Sequence, residues 1–100
     1  IMLKENGRIV AYSRIVPKGL AYEYTSIGRV LVLESHRRKG IAQKMMKFAL
    51  DFIKNNLDEN IVVLSAQEYV KDMYSSVGFK VISEIYNEVN IPHVKMKIEL

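Results

Sequence analysis

The stretch Val30-Leu31-Val32-Leu33-Glu34-Ser35-His36-Arg37-Arg38-Lys39-Gly40-Ile41-Ala42-Gln43 decides the fold. It begins as an apolar, β-branched run, turns polar through three successive cations and a glycine, and opens into a long amphipathic pattern. Strand, basic glycine turn, helix: this order suits a phosphate group docked on a helix N-terminus. There the first backbone N–H groups have no intrahelical partner and the helix dipole favours negative charge. Arg37, Arg38 and Lys39 oppose that dipole, so together they cost stability unless an anion is present.

The rest of the composition sets bounds on that reading. One hundred residues make a single domain spanning 1–100, with one core. Apolar residues at 49% and charged residues at 26% are an ordinary globular balance, which argues against disorder. No apolar run reaches membrane-spanning length and no signal-peptide pattern is visible, so a cytoplasmic chain without a membrane partner is expected. The absence of cysteine excludes disulfides and thiolate chemistry. A net charge of +4 and a pI near 9.4 favour an anionic partner. The basic residues gather at one helix start rather than along a helix face, which argues against nucleic acid. Ile1-Met2-Leu3 already reads as the inside of a strand, so a preceding segment is expected.

Outward from the central stretch, 27–33 is the third strand. Two earlier strands, 1–3 and 9–16, flank Asn6-Gly7, a dipeptide suited to the positive φ angles of a type I′ hairpin turn. Residues 20–26, with Tyr22 and Tyr24 around Glu23, read as a loop. Residues 41–56 form the best helix, with Ile41, Met45, Phe48, Ala49, Phe52 and Ile53 on its apolar face. Ile61-Val62-Val63-Leu64 lacks alternation, as a strand buried on both faces does. Strand, helix and buried strand make a βαβ unit with parallel pairing. Residues 68–77 read as a shorter helix, with Val70, Met73, Tyr74 and Val77 on one face and Gly78 closing it. Two further strands are expected at 80–89 and 93–100, with Asn90-Ile91-Pro92 turning between them. In the last, Val94, Met96, Ile98 and Leu100 face inward and Lys95, Lys97 and Glu99 outward. The order β-β-β-α-β-α-β-β gives a mixed sheet with helices, an α/β protein in the α+β sense.

The common phosphate loops fail on spacing. A Walker A loop ends in Gly-Lys-Ser/Thr, but Ile41 follows Gly40; a dinucleotide fingerprint needs three glycines where one is present. What remains is Arg37-x-x-Gly40-x-Ala42 between a strand and a helix. This resembles the acetyl-CoA signature of the GNAT superfamily of N-acetyltransferases. Met73-Tyr74-Ser75-Ser76-Val77-Gly78-Phe79 resembles that family's Tyr-x-x-x-Gly-Phe segment. Asn90-Ile91-Pro92-His93-Val94-Lys95-Met96 is similar to the close of its ElaA-like branch, with Asn90 in place of glycine. The family's first strand and first two helices have no counterpart here.

The resemblance implies acetyl transfer from acetyl-CoA to a primary amine of a small molecule or peptide. It implies cofactor contacts from Val32, Leu33, Arg37, Arg38, Lys39, Gly40, Ile41, Ala42 and Gln43. Val32 and Leu33 would meet the pantetheine and thioester through their backbones, and 38–43 would cradle the pyrophosphate. Tyr74 matches the general acid, and an ordinary tyrosine is protonated at neutral pH. Glu34 and His93 are the candidates for the base, His93 for its useful pKa range. Each has a bland alternative: a solvated strand-end carboxylate for Glu34, a loop-ordering ring for His93 and a core ring for Tyr74. Glu23, Tyr22 and Tyr24 lie where acceptor contacts often occur. Two distant histidines and no cysteine give no metal-ligand spacing. An exposed edge strand invites pairing into a homodimer. The competing function is a non-catalytic CoA-binding domain, or a fragment with a binding or structural role.

Overall fold

The computed structural model describes residues 1–20, 22–32 and 40–100, with the backbone alone at Glu5 and Arg29. Among the described residues the strands are β1 (Met2–Glu5), β2 (Arg8–Val16), β3 (Thr25–Val32), β4 (Ile61–Gln67), β5 (Lys80–Val81), β6 (Tyr86–Glu88) and β7 (Ile91–Glu99). The helices are α1 (Ile41–Asn56) and α2 (Lys71–Ser76), the second entered through a 3-10 turn at Glu68–Val70. The strands form one mixed sheet in the order β1-β2-β3-β4-β7-β5, with β6 also on β7. Only β3 and β4 run parallel, as the βαβ reading requires. The first hairpin turns through Asn6 (φ 52°) and Gly7 (φ 76°), and Glu5 pairs with Arg8 across it. No described helix is long and apolar enough to cross a membrane.

The core lies between one face of the sheet and the two helices. Met46, Ile53, Val62 and Met96 are wholly covered there. Each contributes roughly 1.5–3 kcal/mol by leaving water. The three consecutive buried residues Val62, Val63 and Leu64 bear out a strand covered on both faces. In β7, Val94 and Met96 point inward and Lys95 and Glu99 outward, as their alternation predicts.

Several expectations are corrected. The buried stripe of α1 is Met45, Met46, Ala49, Leu50 and Ile53, whereas Phe48 and Phe52 are 62% and 40% exposed. The helix is turned by most of one residue step from the expected face. Two overlapping apolar stripes exist at helical spacing, and the one carrying Met46 and Leu50 packs on the sheet. The expected strand over 80–89 is two short strands, because Ser83 Oγ takes the Lys95 N–H at 2.8 Å where a backbone carbonyl would otherwise pair. The last turn is Val89-Asn90, both at positive φ (50° and 62°), with Ile91 and Pro92 already inside β7. The proline ring holds φ negative and cannot occupy such a turn. The expected helix over 68–77 begins as a 3-10 turn, and β3 starts at Thr25, inside the expected loop. The expected end of that strand at Leu33 lies outside the described residues.

The corrected face of α1 predicts a ranking. Met46→Ala should lower the unfolding free energy by about 2–5 kcal/mol in urea titrations. Phe48→Ala should lower it by less than about 1 kcal/mol. The reverse order would restore the face expected from periodicity.

Candidate active site

The parallel seam of the sheet is short. Thr25 pairs with Val62 and Ser26 with Val63, and there the β3–β4 ladder ends. Past that point β3 stays on β2 as far as Val32, opposite Ala11, and β4 stays on β7 as far as Gln67, opposite His93. The two halves of the sheet therefore part into a wedge. Its walls are strand edges, whose peptide groups require hydrogen-bond partners when covered. A narrow arm carrying amide groups could supply them.

Gly40 stands at the head of α1 with φ 73°, a left-handed conformation that other residues adopt at a cost of about 1–2 kcal/mol. The first turn of α1 has no side-chain cap and no acidic residue. Among the described residues no side chain caps the N–H groups at this helix start, which suit an external acceptor. Gln43 Nε2 donates to Ser76 Oγ at 3.1 Å, tying the start of α1 to the end of α2. Between the two helices runs a groove of about 380 Å³ lined by Gly40, Gln43, Lys44, Lys47, Ser76 and Val77. Two lysines beside an uncapped helix start suit a polyanion.

Tyr74, on α2, is 6% exposed and meets Phe79 edge-on at 6.1 Å. It belongs to the same cluster as Leu64 and Ala66 from the parted half of β4. Burial pushes its phenol up to about 12, so it stays protonated throughout the working range of most enzymes. Tyr74 is thus a core ring whose hydroxyl keeps its proton.

His93 lies on the other face of the sheet, away from the helices. Its Nδ1 donates to the Ile91 carbonyl at 2.8 Å, and its Nε2 is 3.3 Å from Glu88 Oε2. The ring stacks on Tyr86 at 6.1 Å, and the Tyr86 hydroxyl hydrogen-bonds Ser65 Oγ. Ser65 lies two residues past the last parallel pair, so this cluster borders the wedge. Lys95 Nζ sits 5.5 Å from the centre of the Tyr22 ring, and Lys97 Nζ 5.3 Å from that of Tyr24. Burial first, then Tyr86 and Glu88, push the Tyr22 phenol up.

The structure thus gathers Gly40, Ile41, Ala42 and Gln43 at the head of α1, with Val32 at the end of β3. Tyr74 and His93 stand on opposite faces of the sheet. Leu33, Glu34, Arg37, Arg38 and Lys39 lie outside the described residues. Sequence reasoning missed Lys44, Lys47, Ser65, Tyr86 and Glu88. The lysines were legible, one and two turns beyond Gly40. Glu88 was not, because its meeting with His93 depends on a hairpin register that the misplaced turn concealed.

Comparison with known proteins agrees with this geometry. A family model described as an acetyltransferase (GNAT) domain matches residues 1–100. UPF0039 protein C11D3.02c of Schizosaccharomyces pombe is 42% identical over 102 residues, covering all of this chain and 67% of the yeast protein. ElaA of Escherichia coli is 34% identical over 96 residues, covering 96% of this chain and 63% of its own length. The ElaA crystal structure superposes with a TM-score of 0.88 at 33% identity, over 98% of this chain and 66% of that one. An aminoglycoside 6'-N-acetyltransferase complexed with coenzyme A shares the fold with a TM-score of 0.81 at 11% identity, over 98% of this chain and 70% of that one. The chain spans about two thirds of the length of the curated relatives it matches. With its parted parallel strands, its glycine-headed helix and these relatives, the chain belongs to the GNAT family of acetyltransferases, in its ElaA-like branch.

Proposed function

We propose that the chain transfers an acetyl group from acetyl-CoA to a primary amine of a small molecule or peptide. The parting of β3 from β4 beside the uncapped start of α1 carries this reading. The wedge suits an amide-bearing arm and the helix start suits a pyrophosphate, so together they fit coenzyme A better than a bare phosphate. Gly40, Ile41, Ala42 and Gln43 hold the pyrophosphate through backbone N–H groups, with Arg37, Arg38 and Lys39 supplying charge. Lys44 and Lys47 extend that positive field along the groove. Val32 and Leu33 meet the arm and the thioester carbonyl through their backbones, and donors fixed before reaction are effective stabilisers of developing negative charge.

When bound, acetyl-CoA supplies the electrophile: the amine nitrogen bonds to the thioester carbonyl carbon, the C–S bond breaks and the sulfur leaves as thiolate. The amine loses a proton and the sulfur gains one. A proton taken from the amine has a place between His93 Nε2 and Glu88 Oε2, 3.3 Å apart. Glu34 is the other candidate base. Tyr74 serves the sulfur from the helix side of the sheet. With its phenol near 12, outright transfer to an ordinary thiolate near 8.5 runs uphill by roughly 5 kcal/mol. Tyr74 therefore stabilises the thiolate by donating a hydrogen bond, and the proton that completes the thiol is taken from solvent.

Calorimetric titration with CoA and a CoA-release assay over an amine panel test this reading. Gly40→Ala should keep the fold, since among the described residues the added Cβ meets only Gln43 Oε1, at 3.5 Å. It should weaken CoA binding about tenfold or more, because the strained φ misaligns the N–H groups. Equal CoA affinity would remove the helix start from the site. Tyr74→Phe should lower kcat about tenfold or more with CoA affinity intact, and wild-type kcat should show no Tyr74 limb below pH 10. An unchanged kcat would end that role. CoA binding without turnover on any amine would favour a CoA-binding domain with a structural or binding function.

A further inference from the structure

The face of the sheet away from α1 and α2 carries a mixed-charge cluster outside the proposed cofactor contacts. Tyr22, Ser65, Tyr86, Glu88, His93 and Lys95 share it. Their mutual contacts are fixed from two sides. The Tyr86 hydroxyl holds Ser65 on the parted half of β4, and the Val89-Asn90 hairpin sets Tyr86 opposite His93 and Glu88 opposite Ile91. The cluster is therefore anchored at the wedge rather than on a wandering loop.

Its chemistry is two-signed. Glu88 Oε2 lies 3.3 Å from His93 Nε2, while Oε1 has no partner among the described residues, and the side chain is 54% exposed. A carboxylate keeps further acceptor capacity in that state. Lys95 is exposed and meets no carboxylate among the described residues; its ammonium rests against the Tyr22 ring at 5.5 Å. His93 and Lys95 are two residues apart on the same face of β7, a separation of about 7 Å along the strand. An acceptor seated between the Tyr22 and Tyr86 rings would find an anion on one side and a cation on the other. A polyamine would meet Lys95 and Lys97 unfavourably.

We propose that this cluster is the acceptor subsite, with Glu88 binding the reactive amine and Lys95 an acidic group, so that the acceptor is an amine that also carries a carboxylate. Amino acids and acidic peptide amino termini are the class that fits. This inference rests on the acetyl-transfer reading and assigns the substrate side of that same site. Glu88 holds the ammonium beside His93, where its proton can be taken, and Lys95 orients the molecule so that nitrogen rather than carboxylate faces the wedge.

The test is a CoA-release assay with acetyl-CoA on the whole chain, using α- and ω-amino acids, their amides and alkyl diamines as acceptors. The wild type should prefer acids over matching amides by tenfold or more in kcat/KM. Lys95→Gln should erase that preference, and Glu88→Gln should raise the KM of every amine about tenfold while leaving the KM of acetyl-CoA unchanged. A merely structural role for Glu88 would move both KM values or neither. Preference for amides or diamines, or an unaltered amine KM in Glu88→Gln, overturns the inference and leaves the acetyl-transfer reading standing. Failure to bind CoA in calorimetry, or binding with no turnover on any amine, overturns the acetyl-transfer reading and the subsite with it.

Discussion

Two pairs of residues, Thr25 with Val62 and Ser26 with Val63, join the two halves of this sheet. The wedge proposed to hold the cofactor follows from how soon that parallel seam stops. Had it continued, the edges of β3 and β4 would satisfy one another and leave no opening. Because each strand stays paired on its far side, the parting does not loosen either half: β3 is held by β2 and β4 by β7. The wedge is thus the place where the β3–β4 ladder stops while each strand keeps its outer partner.

The wedge also divides labour between the faces of the sheet. On the helix side, the apolar cluster around Leu64, Ala66 and Phe79 buries Tyr74 and raises its phenol to about 12. That environment favours a donor that does not ionise. On the other side, Ser65, Tyr86, Glu88 and His93 form a polar network open to solvent at Glu88. Lysine ammoniums over Tyr22 and Tyr24 draw the segment before β3 onto β7, each for about 0.5–1 kcal/mol. A low-dielectric face and a polar face thus lie a strand's thickness apart.

The register of one hairpin sets the second of those faces. Val89 and Asn90 take the positive φ angles of a two-residue turn, and this places Tyr86 opposite His93. A one-residue slip would send the Tyr86 and Glu88 side chains to the opposite face. The ring stack, the Glu88–His93 contact and the link to Ser65 would all be lost together.

Local chemistry alone determined much of this protein. Asn6-Gly7 announces its hairpin, Ile61 to Leu64 its doubly covered strand, and Gly40-Ile41 the start of a helix, because each depends on neighbours within a few positions. Tyr74 and His93 could be nominated from the family likeness, and 41–56 was bounded correctly as a helix. Which side of that helix is buried was decided by the sheet. Both stripes, with Phe48 or with Met46, satisfy the period, and only the strand surface they pack against distinguishes them. The wedge was equally invisible, since a run of apolar residues does not record where two strands, separated by a helix, stop pairing. The Glu88–His93 contact needed a turn misplaced by a residue, and Lys95 met Tyr22 only through the closing of the whole sheet. Spacing along the chain prescribes elements and their ends; facing, register and the end of a ladder belong to pairs of elements, and the tertiary structure alone decides them.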